Sequence, residues 1–282
     1  MSYLSDLKII SNKKKSIICM GMDPILEQIP ISKKSIQKTI FFFYENILNE
    51  ILRKNIHPAC VKPNFAFYAQ YGFEGLKALK ELVDLYRSEG FQVILDAKRG
   101  DIGTTATAYA YEVFDFFNAD AVTLAPYMGY DSVEPFMTKY PDRGYYVLCK
   151  TSNKSSADIQ DLEYNGKPLF LKTAELITEW YQPGIGAVTG ATYPEELKKI
   201  IKIFNKKQKD IPLLIPGIGS QGGSLEKVIK ILNEDSDISL HRINASSSIN
   251  YAYKKYPNLS FAEAAVEEIK TMNDQINSLI MD

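Results

Sequence analysis

The feature that most constrains the fold is a repeating unit: a short apolar run, a polar or glycine-rich stretch, then a helical pattern. The runs are Ser16–Met22, Ala59–Lys62, Phe91–Leu95, Ala119–Leu124, Gly144–Cys149, Gly184–Thr189, Ile211–Ile215 and Ile238–Asn244. Several are continuous in Val, Ile and Leu, as parallel strands buried on both faces require. Helical spacing fills the intervals: Ser35–Leu52, Phe73–Arg87, Gly103–Phe117, Lys167–Tyr181, Pro194–Asn205, Ser224–Leu232 and, closing the chain, Phe261–Ile280. The link from Pro126 to Tyr140 holds a shorter, weaker helix. Eight alternations predict an α/β fold, a (β/α)8 TIM barrel made as one domain over residues 1–282. A doubly wound sheet fits less well, because it seldom needs eight equal units.

Composition narrows the function. Lys plus Arg number 33 against 34 Asp plus Glu, without the basic excess of a nucleic-acid binder. Three scattered cysteines, Cys19, Cys60 and Cys149, do not make a disulfide framework and read as core thiols of a reduced cytoplasm. Two histidines, His57 and His241, leave almost no material for a zinc site, and no metal is expected. Lys13, Lys14 and Lys15 precede an apolar stretch, but Ile17–Met22 is too short for a signal or a membrane span, so a cytoplasmic location away from membranes is expected.

In such a barrel the chemistry gathers at the C-terminal ends of the strands. Asp23-Pro24 follows the first run, Lys62-Pro63-Asn64 the second and Asp96-Ala97-Lys98-Arg99-Gly100-Asp101 the third. Lys150-Thr151-Ser152-Asn153 follows the fifth and Asn244-Ala245-Ser246-Ser247-Ser248 the eighth. Asp96 and Lys98 are two apart, so strand alternation turns both the same way. Lys62 and Asp23 reach the same space, giving an alternating array in which each charge favours the charged form of its neighbours. Burying four charges for stability alone is unfavourable, which points to catalysis rather than a structural ion-pair network.

After the seventh run, Pro216-Gly217-Ile218-Gly219-Ser220-Gln221-Gly222-Gly223 leads into a helix. Free backbone amides at such a helix start suit a phosphate. The aromatic residues Phe65, Phe67, Tyr68 and Tyr71 read as packing between helices, and Phe41-Phe42-Phe43-Tyr44 as a helix face open to a partner subunit. His57 sits at the wrong rim for chemistry and His241 inside the eighth strand.

These blocks carry a resemblance. Asp96-Ala97-Lys98-Arg99-Gly100-Asp101-Ile102-Gly103-Thr104-Thr105 resembles the Asp-x-Lys-x-x-Asp signature of the orotidine 5'-phosphate decarboxylases. Val61–Tyr68, Lys150–Asn153 and Pro216–Gly223 match the longer bacterial and protozoan-like branch, in order, between about residues 16 and 256. The resemblance implies a homodimeric barrel that converts orotidine 5'-phosphate into UMP and CO2, the last step of UMP synthesis, without metal or cofactor. It makes Lys98 the proton donor to C6 of the pyrimidine and sets Asp96 against the substrate carboxylate. Lys62 links Asp96 to the ribose, and Asp23 takes a ribose hydroxyl. Asp101 enters the other subunit's site with Ile102 and Thr105 beside it. Thr151 and Ser152 address the pyrimidine edge, while Gln221 closes over the phosphate. Asn64, Pro216, Gly219, Ser246 and Ser247 complete the substrate-binding set.

One position departs from the pattern. Family members usually carry arginine where this chain has Ser247, which leaves hydroxyls and helix-end amides to hold the phosphate. Two other readings therefore stand beside the decarboxylase: a related sugar-phosphate lyase using magnesium, and a non-catalytic or weakly active nucleotide-binding paralogue. The Lys62-Pro63-Asn64 and Thr151-Ser152-Asn153 blocks favour the pyrimidine reaction.

Overall fold

The computed structural model describes residues 2–218 and 222–281. Eight parallel strands close into a barrel in chain order: β1 (Ile18–Met22), β2 (Cys60–Pro63), β3 (Gln92–Arg99), β4 (Ala121–Leu124), β5 (Gly144–Lys150), β6 (Ile185–Thr189), β7 (Leu213–Ile215) and β8 (Arg242–Ala245). Register runs Gly21 beside Lys62 across β1 and β2, and Cys19 beside Asn244 where β8 closes on β1. A two-stranded hairpin, Glu163–Tyr164 with Lys167–Pro168, stands apart from the barrel on the excursion after β5. Every residue of β1, β2 and β4 is buried, as the continuous apolar runs require.

The helices are α1 (Tyr3–Lys14), α2 (Ile36–Lys54), α3 (Phe65–Ala69), α4 (Gly72–Ser88), α5 (Gly103–Tyr111), α6 (Glu134–Lys139), α7 (Ala157–Gln160), α8 (Leu169–Glu179), α9 (Pro194–Lys206), α10 (Leu225–Asp235), α11 (Ser247–Asn250) and α12 (Phe261–Met281). Amphipathic α2 and α4 show why these segments are helical. Ile40, Phe43, Ile47 and Ile51 bury one stripe of α2, and Leu79, Leu82, Val83 and Tyr86 one stripe of α4. Ser35 caps α2 by accepting the Lys38 N–H, and Asn55 ends it in the left-handed region at φ 54°.

Three expectations need correction, and one helix carries no expectation at all. The helix expected over Gly103–Phe117 gives way at Glu112 to a π turn, Glu112–Phe116. Glu112 is held there by a bidentate bond to Arg99, at 2.9 and 2.8 Å. The last strand is shorter than its apolar run: Ile238–Leu240 is a 3-10 turn capped by Asp237, and His241 precedes β8. Phe43 and Tyr44 point into the core, Phe43 stacking on Phe261 at 5.2 Å, so only Phe41 and Phe42 keep partial exposure. Finally, α1 was not foreseen. It plugs the N-terminal end of the barrel through a face one residue wide, Tyr3, Leu7 and Ser11, too narrow to register as amphipathic.

That plug completes the barrel floor. Tyr3 and Leu7 pack with Cys19, Cys60, Ile94, Ala121, Tyr146, Val188 and Leu214. Arg242, fully buried, donates to the carbonyls of Leu7, Ser239 and His241 and to Ser11 Oγ. His241 Nδ1 accepts the Leu213 N–H at 3.0 Å, and burial, reinforced by Arg242, pushes the imidazole down to about 3.

Candidate active site

At the opposite, C-terminal rim, a cavity of about 580 Å³ opens between the strand ends. Its centre is Asp96, which is buried. Asp96 Oδ2 accepts from Lys62 Nζ at 2.8 Å, and Oδ1 accepts from Lys98 Nζ at 2.6 Å and from Thr123 Oγ1 at 2.9 Å. Burial opposes ionisation of Asp96, but the two ammoniums outweigh it and hold the carboxyl well below its ordinary range. For Lys62 burial likewise opposes the charge, and the Asp96 and Asp23 carboxylates reverse that effect, raising the ammonium above its usual value.

Strand alternation carries Asp96 into the cavity but not Lys98. Two extra residues of β3 stand between its pairings to β4, Leu95 with Val122 and Arg99 with Leu124. Lys98 occupies the left-handed region at φ 47°, a conformation costing a side-chain-bearing residue about 1–3 kcal/mol. Thr123 supports this geometry, its Oγ1 accepting the Lys98 N–H at 3.0 Å. Lys98 thus returns to Asp96 by leaving strand geometry, and its side chain remains half exposed.

The other walls come from five strand ends. Asp23 lines the cavity with its Oδ1 buried and without a protein partner. Tyr251 anchors its backbone, donating to the Asp23 carbonyl at 3.1 Å and accepting the Ile25 N–H at 2.9 Å. Asn64, Thr151, Ser152, Pro216, Ser246 and Ser247 all line the same space. Gly21 admits Ser246, since a Cβ there would lie 1.8 Å from its hydroxyl oxygen. Gly190 does the same for Ser152, whose backbone would meet a Cβ at 2.7 Å. Behind Ser152, Gln160 brackets Thr151 by accepting its N–H and donating to its hydroxyl, and buried Lys150 pairs with Asp161.

The three residues that the resemblance assigns to the other subunit's site are placed apart from this cavity. Asp101, Ile102 and Thr105 lie outside its lining at the start of α5, with Asp101 accepting the Ile102 N–H. Gly219 and Gln221 lie outside the described residues. Sequence reasoning missed Thr123, Phe67 and Tyr251 as cavity residues. Phe67 was read as helix packing but forms a wall. Thr123 left one signal, a lone polar side chain within the Ala-Val-Thr-Leu strand.

Fold and rim together define a (β/α)8-barrel enzyme that turns a carboxylate–ammonium array into a cleft of nucleotide size. The sequence profile of the Orotidine 5'-phosphate decarboxylase / HUMPS family matches residues 19–252. An orotidine 5'-phosphate decarboxylase of Cupriavidus necator is 39% identical over 282 residues, covering 98% of each chain, and one of Herpetosiphon aurantiacus is 40% identical, covering 93% of each. Among solved structures, the OMP decarboxylase of Leishmania donovani superposes with a TM-score of 0.79 at 32% identity, over all of both chains. The chain belongs to the orotidine 5'-phosphate decarboxylase / HUMPS family.

Proposed function

We propose that this protein is a carboxy-lyase that decarboxylates orotidine 5'-phosphate to UMP and CO2. The observation that carries the reading is buried Asp96 held between Lys62 and Lys98 at 2.8 and 2.6 Å, facing the cavity. In this reading the substrate carboxylate lies against Asp96 with C6 beside Lys98. When the C6–carboxylate bond breaks, its electron pair stays on C6 and CO2 departs. No ring position delocalises that pair, so the fixed Lys98 ammonium stabilises it and then gives C6 its proton. Asp96 repels the substrate carboxylate before cleavage and is relieved of it afterwards. Lys98 regains its proton from solvent through its exposed side.

The remaining roles are those the family resemblance implies. The unpartnered Asp23 Oδ1 suits a ribose hydroxyl, with Lys62 between it and Asp96. In this reading Thr151 and Ser152 serve the pyrimidine edge, Asn64 the ribose, and Pro216, Ser246 and Ser247 the phosphate; the resemblance adds Gly219 and Gln221, outside the described residues, to the phosphate set. The proposed chemistry asks for no cofactor. The test is direct: orotidine 5'-phosphate added to the pure protein yields one UMP and one CO2 per turnover, and a protein that binds UMP without turnover would reduce it to the paralogue.

We further propose a homodimer with shared sites, each chain a single domain over residues 1–282, working in the cytoplasm without nucleic acid or membrane. Exposed Ile102 follows Asp101, and exposed Tyr111, Phe116, Tyr127 and Met128 lie on α5, the π turn and the loop after β4. Apolar surface of that kind supports burial against a second copy. No helix among the described residues is long and apolar enough to cross a membrane. Mixing Asp101→Asn with Lys98→Ala, each inactive alone, restores activity because exchanged heterodimers contain one site with both residues intact. Demonstrated subunit exchange without recovery contradicts sharing.

A further inference from the structure

A second cavity, of about 540 Å³, opens at the other end of the molecule and shares no lining residue with the rim cavity. It lies between α1, the end of α4 and the first residues of β3, β4 and β5. Tyr3 and Tyr140 form aromatic walls, and Arg87, Arg143, Asp120 and Gln92 supply polar groups.

Two guanidiniums there share one carboxylate oxygen. Arg87 Nη2 donates to Asp120 Oδ1 at 2.8 Å and Arg143 Nη1 to the same atom at 3.3 Å, while Asp120 Oδ2 accepts the Val93 N–H. Each arginine thus gives Asp120 one bond, and their remaining N–H groups have no acceptor among the described residues. Gln92 is only 7% exposed, and its Oε1 has no partner. A buried amide oxygen left unpaired is unfavourable, and a donor on a ligand would satisfy it. The mouth residues Asp6, Lys139 and Asp142 sum to −1 and the Arg87–Arg143–Asp120 group to +1, so the lining is neutral overall and its positive charge is local to the two guanidiniums. Spare, planar N–H donors beside an unsatisfied amide are the chemistry that recognises an oxyanion attached to a polar body.

We propose that this second cavity binds a small oxyanion-bearing molecule, its carboxylate or phosphate held by Arg87 and Arg143 and its polar body by Gln92. None of these residues takes part in the proposed catalysis, so the site is separable from the rim.

The experiment is calorimetry on the full chain with UMP saturating the rim, titrated with inorganic phosphate and, separately, with malonate. One further equivalent per chain binds, and the better probe tells phosphate from carboxylate ligands. Arg143→Gln weakens binding of either probe by about tenfold or more, and Gln92→Leu does the same for phosphate, whose P–OH can donate to Gln92 Oε1, while orotidine 5'-phosphate turnover is unchanged. If Arg143→Gln does not fold, Gln92→Leu alone decides. No further equivalent for either probe, binding that UMP displaces, or equal affinity in wild type and the folded variants overturns the proposal.

Discussion

Two buried cations stand at opposite ends of the same barrel. At the floor, Arg242 donates three bonds to backbone carbonyls and one to Ser11, with no carboxylate partner among the described residues. At the rim, Lys62 is held by carboxylates, Asp96 at 2.8 Å with Asp23 nearby. Carbonyl dipoles belong to the backbone and cannot be exchanged without unfolding, so Arg242 ties α1, the 3-10 turn and β8 together. Asp96 is charged and faces an open cavity, so the field at Lys62 and Lys98 changes when a charged ligand arrives there. Neutral acceptors mark the structural charge, and opposed charges beside an open cavity mark the chemical one.

That contrast predicts a ranking of stability losses. Arg242→Met removes four hydrogen bonds from the floor, although Ser11 Oγ keeps its bond to the Ser239 carbonyl, and costs about 3–4 kcal/mol. Denaturant unfolding would read that loss, and turnover per folded molecule stays at the wild-type level. A drop in turnover with little loss of stability would erase the distinction between the two ends.

His241 gives a smaller, pH-dependent effect. Its imidazole is pushed down to about 3 in the folded chain, while the unfolded chain titrates near 6.5. The folded state therefore binds fewer protons, and stability is full above pH 6.5 and falls as pH drops toward 3. Between pH 7.5 and 5 the loss is about 2 kcal/mol. His241→Gln, which keeps an acceptor for the Leu213 N–H, should lack that slope. Parallel stability profiles for the two proteins would show that the histidine is not held neutral.

Much of both ends was legible before any geometry. Continuous apolar runs mark parallel strands because both faces are covered, and residues just beyond a run fall at the rim. Asp23, Lys62, Asp96 and Lys98 were found that way. The route by which Lys98 reaches Asp96 was not legible: a left-handed lysine and two extra residues in β3 leave no glycine to mark them. Thr123 was passed over because one threonine in an apolar strand is ordinary. The floor was harder still. Arg242 falls inside the eighth apolar run, but two of its four partners, Leu7 and Ser11, come from α1, whose narrow buried face carries no amphipathic signal.

The smallest stability loss belongs to the residue with the largest chemical one. Lys98 is 49% exposed, and without it Asp96 keeps Lys62 and Thr123. Lys98→Ala should therefore unfold within about 1 kcal/mol of wild type, as substitutions outside packed and fully paired sites do. Its turnover of orotidine 5'-phosphate should fall by at least about 10²–10⁴-fold, the contribution of a general acid. Measuring kcat and unfolding free energy on that one variant tests the account most directly: a stable, inactive protein is the predicted result, and a variant that keeps a tenth of wild-type turnover, or loses activity only by unfolding, would contradict it.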